Sequence, residues 1–228
     1  MKQRLNSNAS ERLAVGMALS LTGGFLDAYT YILRGGVFAN AQTGNMVLLG
    51  INLASGRVHK AAYYLIPILA FALGVLITNI VQRSWETAGK LHWQQVILIT
   101  EILSLLVVGL LPVTIPHYYA NIAISFVCSV QVAGFRSLEG SPYTTTMCTG
   151  NLKSAMDHLA RYLFDKDKKA GGIAYRYFLV ILAFCLGAAS GIALIDLFAE
   201  KSIWGCALIL FCILLYISKK REIKKITL

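Results

Sequence analysis

The sequence predicts an all-α fold, that of a polytopic integral membrane protein. Of its 228 residues only 14% are charged and 57% are hydrophobic, and the mean hydropathy is +0.63. A soluble domain carries about 25% charged residues, so lipid is the expected main solvent. Six stretches approach the ~20 apolar residues that a hydrocarbon core about 30 Å thick requires. They cover residues 13–33, 61–82, 94–113, 115–135, 177–198 and 202–218.

The chain contains a two-fold internal repeat. Thr43-Gly44-Asn45 recurs at 149–151, and the pattern Ile-Leu-Ala-Phe-x-Leu-Gly at 68–74 recurs at 181–187, in the same order. The longer polar loop 164–172 accounts for the difference in spacing. We therefore expect a single membrane domain, 1–228, made of a first unit, 13–113, and a second unit, 115–218. Pro112 and Pro116 mark the join, because proline ends one helix and can begin the next.

Each unit also contains a polar segment that is too short for an ordinary crossing. In the second unit, only residues 140–152 separate Glu139 from Lys153. Broken backbone at membrane depth is tolerated only where protein buries it or where it lines a water-filled cavity. Two arrangements remain open. One has six full transmembrane helices, two short broken or re-entrant segments and inverted repeats, and the other has eight crossings and parallel repeats. The polarity of the second segment favours the first.

Basic residues set the expected orientation. The 21 Lys and Arg give a net charge of +10 and lie mostly in loops and at the termini, as the positive-inside rule expects, so nucleic acid is not a predicted partner. We expect a multi-pass protein of the cell (plasma) membrane with both termini cytoplasmic and lipids as partners, and a homo-oligomer is compatible with the sequence. The clearest topology signal, with an anionic-lipid site as the alternative, is the run Lys219, Lys220, Arg221, Lys224 and Lys225.

Asp27 is the leading candidate for a functional residue. It lies well inside the first apolar stretch, where an ionised carboxylate costs on the order of 2.5–3.5 kcal/mol. Such a residue usually faces a cavity or a partner. In the alternative interpretation, Asp27 caps a short helix or pairs with Arg34 near the headgroups.

The repeated Thr-Gly-Asn segments are the second candidate. A hydroxyl, a glycine that lets backbones approach and a carboxamide can together solvate a polar solute or an ion. The same residues can serve only packing and interhelical hydrogen bonds, but recurrence in register and paired interruptions in two halves favour a transport site. The predicted substrate pathway is lined by Asp27, Thr43, Gly44, Asn45, Gln131, Thr149, Gly150 and Asn151.

Three further charged residues, Glu101, Lys153 and Asp157, are secondary candidates. Glu101 resembles Asp27, but it lies nearer the end of its stretch, where snorkelling is easier. Lys153, Asp157 and Arg161 are spaced four residues apart, which places them on one stripe of a helix. We interpret this stripe as the solvated face of an interfacial helix, in preference to a gate or an anion funnel.

The order of three motifs resembles a known family. Residues 23–28, Gly-Gly-Phe-Leu-Asp-Ala, precede Gly-Gly-Val-Phe at 35–38 and then the first Thr-Gly-Asn. This order is similar to that of the YoaK-type bacterial membrane proteins, a domain of unknown function, over nearly the whole chain. The family's Gln-Asn-Ala triplet stands here as Gln131-Val132-Ala133. The resemblance implies a membrane location and a helical fold, and it specifies no substrate.

The sequence favours a membrane transporter or channel for an unidentified small solute or ion. We expect its pathway between the two units, where helix N-termini at the paired breaks offer partial positive charge and freed carbonyls can take a cation. The alternative is a non-transporting scaffold or accessory subunit whose polar residues only hold helices together. We predict no enzymatic activity, no cofactor and no metal site. The four histidines do not form His-Glu-x-x-His, no Gly-x-Ser-x-Gly elbow occurs, and the five cysteines show no Cys-x-x-Cys spacing.

Overall fold

α-Helices form most of the chain in the computed structural model, which describes residues 12–85 and 93–226. Within those residues the other regular elements are an antiparallel hairpin of two short strands, each of two residues, and a 3-10 turn. The helices are α1 Leu13–Leu33, α2 Gln42–Ala54, α3 Val58–Trp85, α4 Trp93–Val108, α5 Tyr118–Gly134, α6 Cys148–Phe164, α7 Lys168–Phe198 and α8 Trp204–Ile226. The hairpin pairs β1 Ser137–Leu138 with β2 Ser141–Pro142, and the 3-10 turn is Ala199–Ile203. The all-α prediction is confirmed.

The first helix, α1, lies at the centre of the bundle. It is apolar nearly all round, and a helix of that kind is stable when it is buried on all sides. Its most extensive partner is α7, which it meets at small residues. A Cβ on Gly187 would collide with the Leu21 carbonyl, and one on Gly191 would touch Ala28. The later residue of α7 thus contacts the later residue of α1, so the two helices run parallel.

The helices α3 and α5 make the corresponding pair. Near their starts, the Asn121 amide nitrogen lies 3.2 Å from the Tyr63 hydroxyl oxygen. Near their ends, the Arg136 guanidinium donates to the Asn79 amide oxygen at 2.6 Å. The two helices are therefore parallel to each other.

The last helix, α8, runs against both α1 and α4. Tyr29 near the end of α1 donates to the carbonyl of Glu200, just ahead of α8, at 3.1 Å. Trp204 at the start of α8 donates to the Leu106 carbonyl at 3.2 Å, while Gln95 at the start of α4 donates to Ser218 at 2.7 Å. Hence α1, α4 and α7 point in one direction and α8 in the other.

A buried arginine fixes one end of this bundle. Arg34, which directly follows α1, is only 1% exposed. Its guanidinium donates to the Leu111 carbonyl at 2.6 Å, the Pro112 carbonyl at 3.3 Å and the Tyr29 hydroxyl at 2.9 Å. These bonds join the end of α1 to the residues just after α4. We name this side of the bundle the Arg34 end and the other side, where Gln95 meets Ser218, the Gln95 end.

The two short helices each return to the end of the bundle from which their segment departs. The Tyr63 hydroxyl, near the start of α3, donates to the Arg34 carbonyl at 2.6 Å, so the segment holding α2 begins and finishes at the Arg34 end. For α6, the Arg176 guanidinium near the start of α7 pairs with Glu139, just beyond α5, at 3.0 Å. A Cβ on Gly134, the last residue of α5, would meet Ile97 near the start of α4, so α5 finishes, and the segment holding α6 begins and finishes, at the Gln95 end.

The turn between α6 and α7 explains why α7 begins earlier than predicted. Asp167 is its N-cap and accepts the backbone N–H of Lys169 at 3.0 Å and of Ala170 at 3.2 Å. The hydrogen bond from Ala170 is the largest cause that lowers the pKa of this carboxyl. Since the cap starts the helix at Lys168, α7 has 31 residues and extends beyond the predicted stretch 177–198 by more than two turns.

Two stretches of the described chain are long and apolar enough to cross a membrane. They are Val58–Arg83 and Lys168–Lys220, and the second contains α7, the 3-10 turn and α8. Their outer faces carry large apolar side chains that are more than half exposed, such as Leu76, Leu182 and Leu208. Such a surface suits contact with lipid tails.

The close crossing of α1 and α7 gives a test of the packing. Gly187→Ala should lower the melting temperature of the purified protein, because the added methyl must push α1 away, and overpacking costs about 1–3 kcal/mol. Gly172→Ala is the control in the same helix, since its Cβ would meet nothing within 4 Å. That variant should be neutral or slightly more stable, because alanine is favoured in helices by about 1 kcal/mol. Equal melting temperatures for the two variants would contradict the close crossing.

Candidate functional site

A cavity of about 1010 Å³ lies where the two short helices begin. Its walls come from both predicted units: α1 and α3, the loop and first turn of α2, the loop and first turn of α6, and α7. The polar or sulfur-bearing side chains of the wall belong to Asp27, Tyr31, Asn40, Gln42, Thr43, Met46, Thr144, Thr146, Met147, Cys148 and Thr149. The remaining lining is apolar and includes Ile32, Phe38, Ile68, Phe71, Phe184 and Ile192.

Asp27 forms part of this wall and also holds the loop ahead of α2. Its Oδ1 accepts the backbone N–H of Asn40 at 2.7 Å, and the carboxyl is 5% exposed. The loop can turn back along α1 because Gly35 and Gly36 have φ of 85° and 73°, which glycine adopts without strain. The carboxyl therefore holds the loop two residues ahead of α2 from a neighbouring helix, and Arg34, bonded elsewhere, is not its partner.

Asn45 ties the same loop to α2. Its Nδ2 donates to the Phe38 carbonyl at 2.7 Å, and its Oδ1 accepts the Phe38 N–H at 3.1 Å. The side chain is fully buried and does not line the cavity. Gly44 leaves room for the Phe38 ring, which a Cβ there would approach to 3.0 Å. Both residues serve the fold of the loop, and of the first Thr-Gly-Asn only Thr43 faces the cavity.

Asn151 makes the same two bonds in the second short segment. Its Nδ2 donates to the Thr144 carbonyl at 2.7 Å, and its Oδ1 accepts the Thr144 N–H at 3.3 Å. In each case the asparagine pairs with the backbone of the residue seven positions earlier. We call these two arrangements the asparagine clamps. Thr149 and Gly150, ahead of Asn151, are exposed on the cavity wall.

Two buried polar atoms of the wall have no partner among the residues that the structure describes. They are the Asn40 Oδ1 and the Thr146 Oγ1, on side chains that are 2% and 4% exposed. Both side chains lie against Gly23. A buried polar group without a partner costs about 1–3 kcal/mol, and both atoms are almost without accessible surface, so each carries that cost in the structure as it stands.

Glu101 and Gln131 lie outside the cavity, in a buried contact between α4 and α5. In the amide orientation that satisfies both atoms, Gln131 donates to the two carboxyl oxygens of Glu101 at 2.9 and 3.1 Å. Its oxygen then accepts the Thr145 hydroxyl at 3.0 Å. Of the predicted pathway residues, Asp27, Thr43, Thr149 and Gly150 meet at the cavity, while Gly44, Asn45, Gln131 and Asn151 support its walls.

Lys153 and Asp157 form an exposed ion pair at 2.6 Å, on side chains that are 78% and 58% exposed. They lie on the outer face of α6 and take no part in the cavity. A pair this exposed contributes little to stability. Arg161 pairs with Asp167 at the end of the same helix.

The pathway residues predicted from the sequence do not include Asn40, Thr146 or the three wall phenylalanines, Phe38, Phe71 and Phe184. A usable signal was present, because Asn40 and Thr146 each stand three residues ahead of a Thr-Gly-Asn. Phe71 and Phe184 occupy the same position of the other repeated pattern. Positions that recur in both units therefore point to the wall even where the residue type differs.

The helical bundle and its apolar outer surface define the class of the protein, a helical membrane protein. The family described as a protein of unknown function, DUF1275, matches residues 15–216, and the chain belongs to this family. It is 26% identical over 178 residues to the UPF0700 transmembrane protein YoaK of Bacillus subtilis (strain 168), with 75% of this chain and 78% of that protein covered. No solved structure matches the chain. The resemblance predicted from the motifs is confirmed.

The asparagine clamps give a second test. Asn45→Ala should lower the melting temperature clearly, because it leaves the N–H and C=O of Phe38 unpaired inside the bundle, at about 1–3 kcal/mol for each. Asn52→Ala is the control in the same helix. Asn52 is also buried, but its amide bonds only the Leu48 carbonyl within α2. If the Asn52 variant lost as much stability as the Asn45 variant, the clamp would not hold the loop.

Proposed function

We propose that this protein is a membrane transporter or channel for a small solute or ion, with its pathway through the cavity between two inverted repeat units. One observation carries the proposal. The first turns of α2 and α6, which belong to different units, meet with Asp27 at a single cavity. Broken helices whose ends converge in this way line the substrate sites of many secondary transporters.

The pattern of helix contacts supports the repeat. The first helix of each unit packs on the third helix of the other, α1 on α7 and α5 on α3. In the first contact, the Leu21 carbonyl lies where a Cβ on Gly187 would be. In the second, the Phe126 carbonyl lies close to Gly74, which has the same position in the repeated motif. The two asparagine clamps also correspond. These features fit the units 13–113 and 115–218.

The helix directions support six crossings with two re-entrant segments. The six long helices α1, α3, α4, α5, α7 and α8 alternate in direction along the chain, and α2 and α6 each return to the end they left. With three crossings in each unit, the second unit is inverted relative to the first. At about 1.5 Å per residue, the 13 residues of α2 span ~20 Å, which is less than a hydrocarbon core about 30 Å thick.

The basic residues support a cytoplasmic Gln95 end in the plasma membrane, with both termini inside. The elements at the Arg34 end carry Arg34, Arg57, Lys60 and Lys201. Those at the Gln95 end carry Arg12, Arg83, Arg136, Lys166, Lys168, Lys169, Arg176, Lys219 and Lys220. Lys2, Arg4 and Lys90, and the side chains of Arg221, Lys224 and Lys225, lie outside the described residues.

The cavity suits a small solute of mixed polarity. Most of its wall is apolar, so the body of the solute can be apolar. Each helix N-terminus is equivalent to about half a positive charge. The single negative charge of an ionised Asp27 would therefore balance the partial charges of the α2 and α6 N-termini. Protonation of Asp27 would leave the two helix ends to attract an anionic or hydrogen-bond-accepting group. The charge of the solute that enters therefore depends on the protonation of Asp27.

The natural cysteines allow a direct test of the pathway. Cys148 lines the cavity, whereas Cys212 is exposed on the outer face of α8. Two variants that keep only one of these thiols, with the other cysteines replaced by serine, should differ in reconstituted vesicles. A charged, membrane-impermeant methanethiosulfonate should label Cys148 through the pathway and leave the lipid-facing Cys212 unmodified.

The scaffold alternative predicts the opposite result. If the polar residues only hold helices together, Cys148 should resist the reagent from both sides of the membrane. Labelling of Cys148 after the protein is unfolded in detergent is the control, because it shows that the thiol can react with the reagent. Resistance in the folded protein, combined with that control, would overturn the transport proposal.

A further inference from the structure

Glu101 is a buried acid that the cavity does not use. It is 1% exposed on α4, and no Lys, Arg or His among the described residues forms an ion pair with it. The groups that face it are the Gln131 amide and the Cys128 thiol from α5 and the Cys206 thiol from α8. An ionised carboxylate without a cation is costly inside a membrane protein, so such a residue usually has a role in moving charge.

The Gln131 amide can satisfy Glu101 in either of two orientations. With its nitrogen toward Glu101, it donates at 2.9 and 3.1 Å to an ionised carboxylate, and its oxygen accepts the Thr145 hydroxyl at 3.0 Å. With the amide turned by 180°, its oxygen faces Glu101 and accepts a bond only if the carboxyl carries a proton. The amide nitrogen then donates to the Thr145 oxygen. Each orientation of the Gln131 amide therefore pairs its oxygen and its nitrogen in one protonation state of Glu101.

Thr145 connects this pair to the wall of the cavity. Its carbonyl accepts the Ser20 hydroxyl of α1 at 2.6 Å, and its neighbour Thr146 is part of the cavity wall. The first turn of α6 begins two residues further on. A turn of the Gln131 amide thus changes the hydrogen bonding of the loop that carries α6.

We propose that Glu101 is a proton-binding site separate from the solute cavity, and that the Gln131 amide transmits its state to the loop 144–147. One proton from water binds one carboxylate oxygen, the amide turns, and the Thr145 hydroxyl changes from donor to acceptor. On release the proton returns to water and the amide turns back. The second step, its effect on the cavity, rests on the proposed function, whereas proton binding by Glu101 does not.

Infrared difference spectroscopy of the reconstituted protein tests the proton site. Spectra recorded across a pH titration should contain the C=O stretching band of a protonated, buried carboxyl. Glu101→Gln should remove this band, and Asp27→Asn, which changes the acid of the cavity wall, should leave it. Gln131→Leu keeps the acid and should shift the band to higher frequency, because the carboxyl loses its bond to the amide.

Because Asp27 is also a buried acid and can contribute a band of its own, the Glu101 band is the one that Asp27→Asn leaves in place. The result that overturns the proton site is a spectrum in which Glu101→Gln removes no band, or the absence of any titrating carboxyl band in the Asp27→Asn variant. If the Glu101 variant does not fold, the frequency in the Gln131→Leu variant decides, and an unchanged frequency would overturn the role of the amide. None of these measurements needs a solute. Their failure would therefore leave the labelling of Cys148, and with it the proposed function, unaffected.

The effect on the cavity is measured by the labelling rate of Cys148. In the variant that keeps only this thiol, the rate should be compared with and without Glu101→Gln over the same pH series, so that thiolate reactivity cancels in the ratio. The ratio should change several-fold across the titration of the infrared band. A ratio that stays constant would overturn the transmission through Gln131.

Discussion

Two loops carry backbone into the interior of a bundle that lipid surrounds, and the polar groups of that backbone must find partners there. The asparagine clamps meet this constraint in both units, since Asn45 pairs both backbone groups of Phe38 and Asn151 does the same for Thr144. The rest of the architecture depends on these bonds. Because the loops are held, α2 and α6 can begin deep in the bundle, and the cavity forms where they begin.

The two predicted units share the asparagine clamp but differ in the side-chain contacts ahead of it. In the first unit, Asp27 on α1 bonds the backbone of Asn40. In the second, Gln131 on α5 lies near the Thr145 hydroxyl and Glu101. Both acids belong to the first predicted unit, but Asp27 stands at the wall of the cavity, whereas Glu101 lies behind the wall, against Gln131 of the second predicted unit. With the two acids in unlike settings, the proposed solute pathway and the proposed proton site use different residues.

Much of the architecture follows from the sequence, because composition and length determine which stretches suit lipid and because the repeat shows in the residues themselves. The roles of single side chains are less predictable. A carboxamide can face a cavity or satisfy backbone, and only the path of the loop makes Asn45 a clamp. Between Glu101 and Gln131 lie the end of α4, a turn and most of α5, so their contact depends on the packing of α4 on α5. The predicted stretch 94–113 also overran α4, which ends at Val108, ahead of Pro112.

The central claim is that the two short helices enter the bundle from opposite faces of the membrane. Single cysteines at Ser55, just after α2, and at Asp165, just after α6, report these faces directly in a protein without its native cysteines. Both positions are exposed. In intact cells an impermeant maleimide should label Ser55→Cys at once, and Asp165→Cys only after the membrane is permeabilised. Labelling of both positions only after permeabilisation would establish eight crossings with parallel repeats and contradict the account.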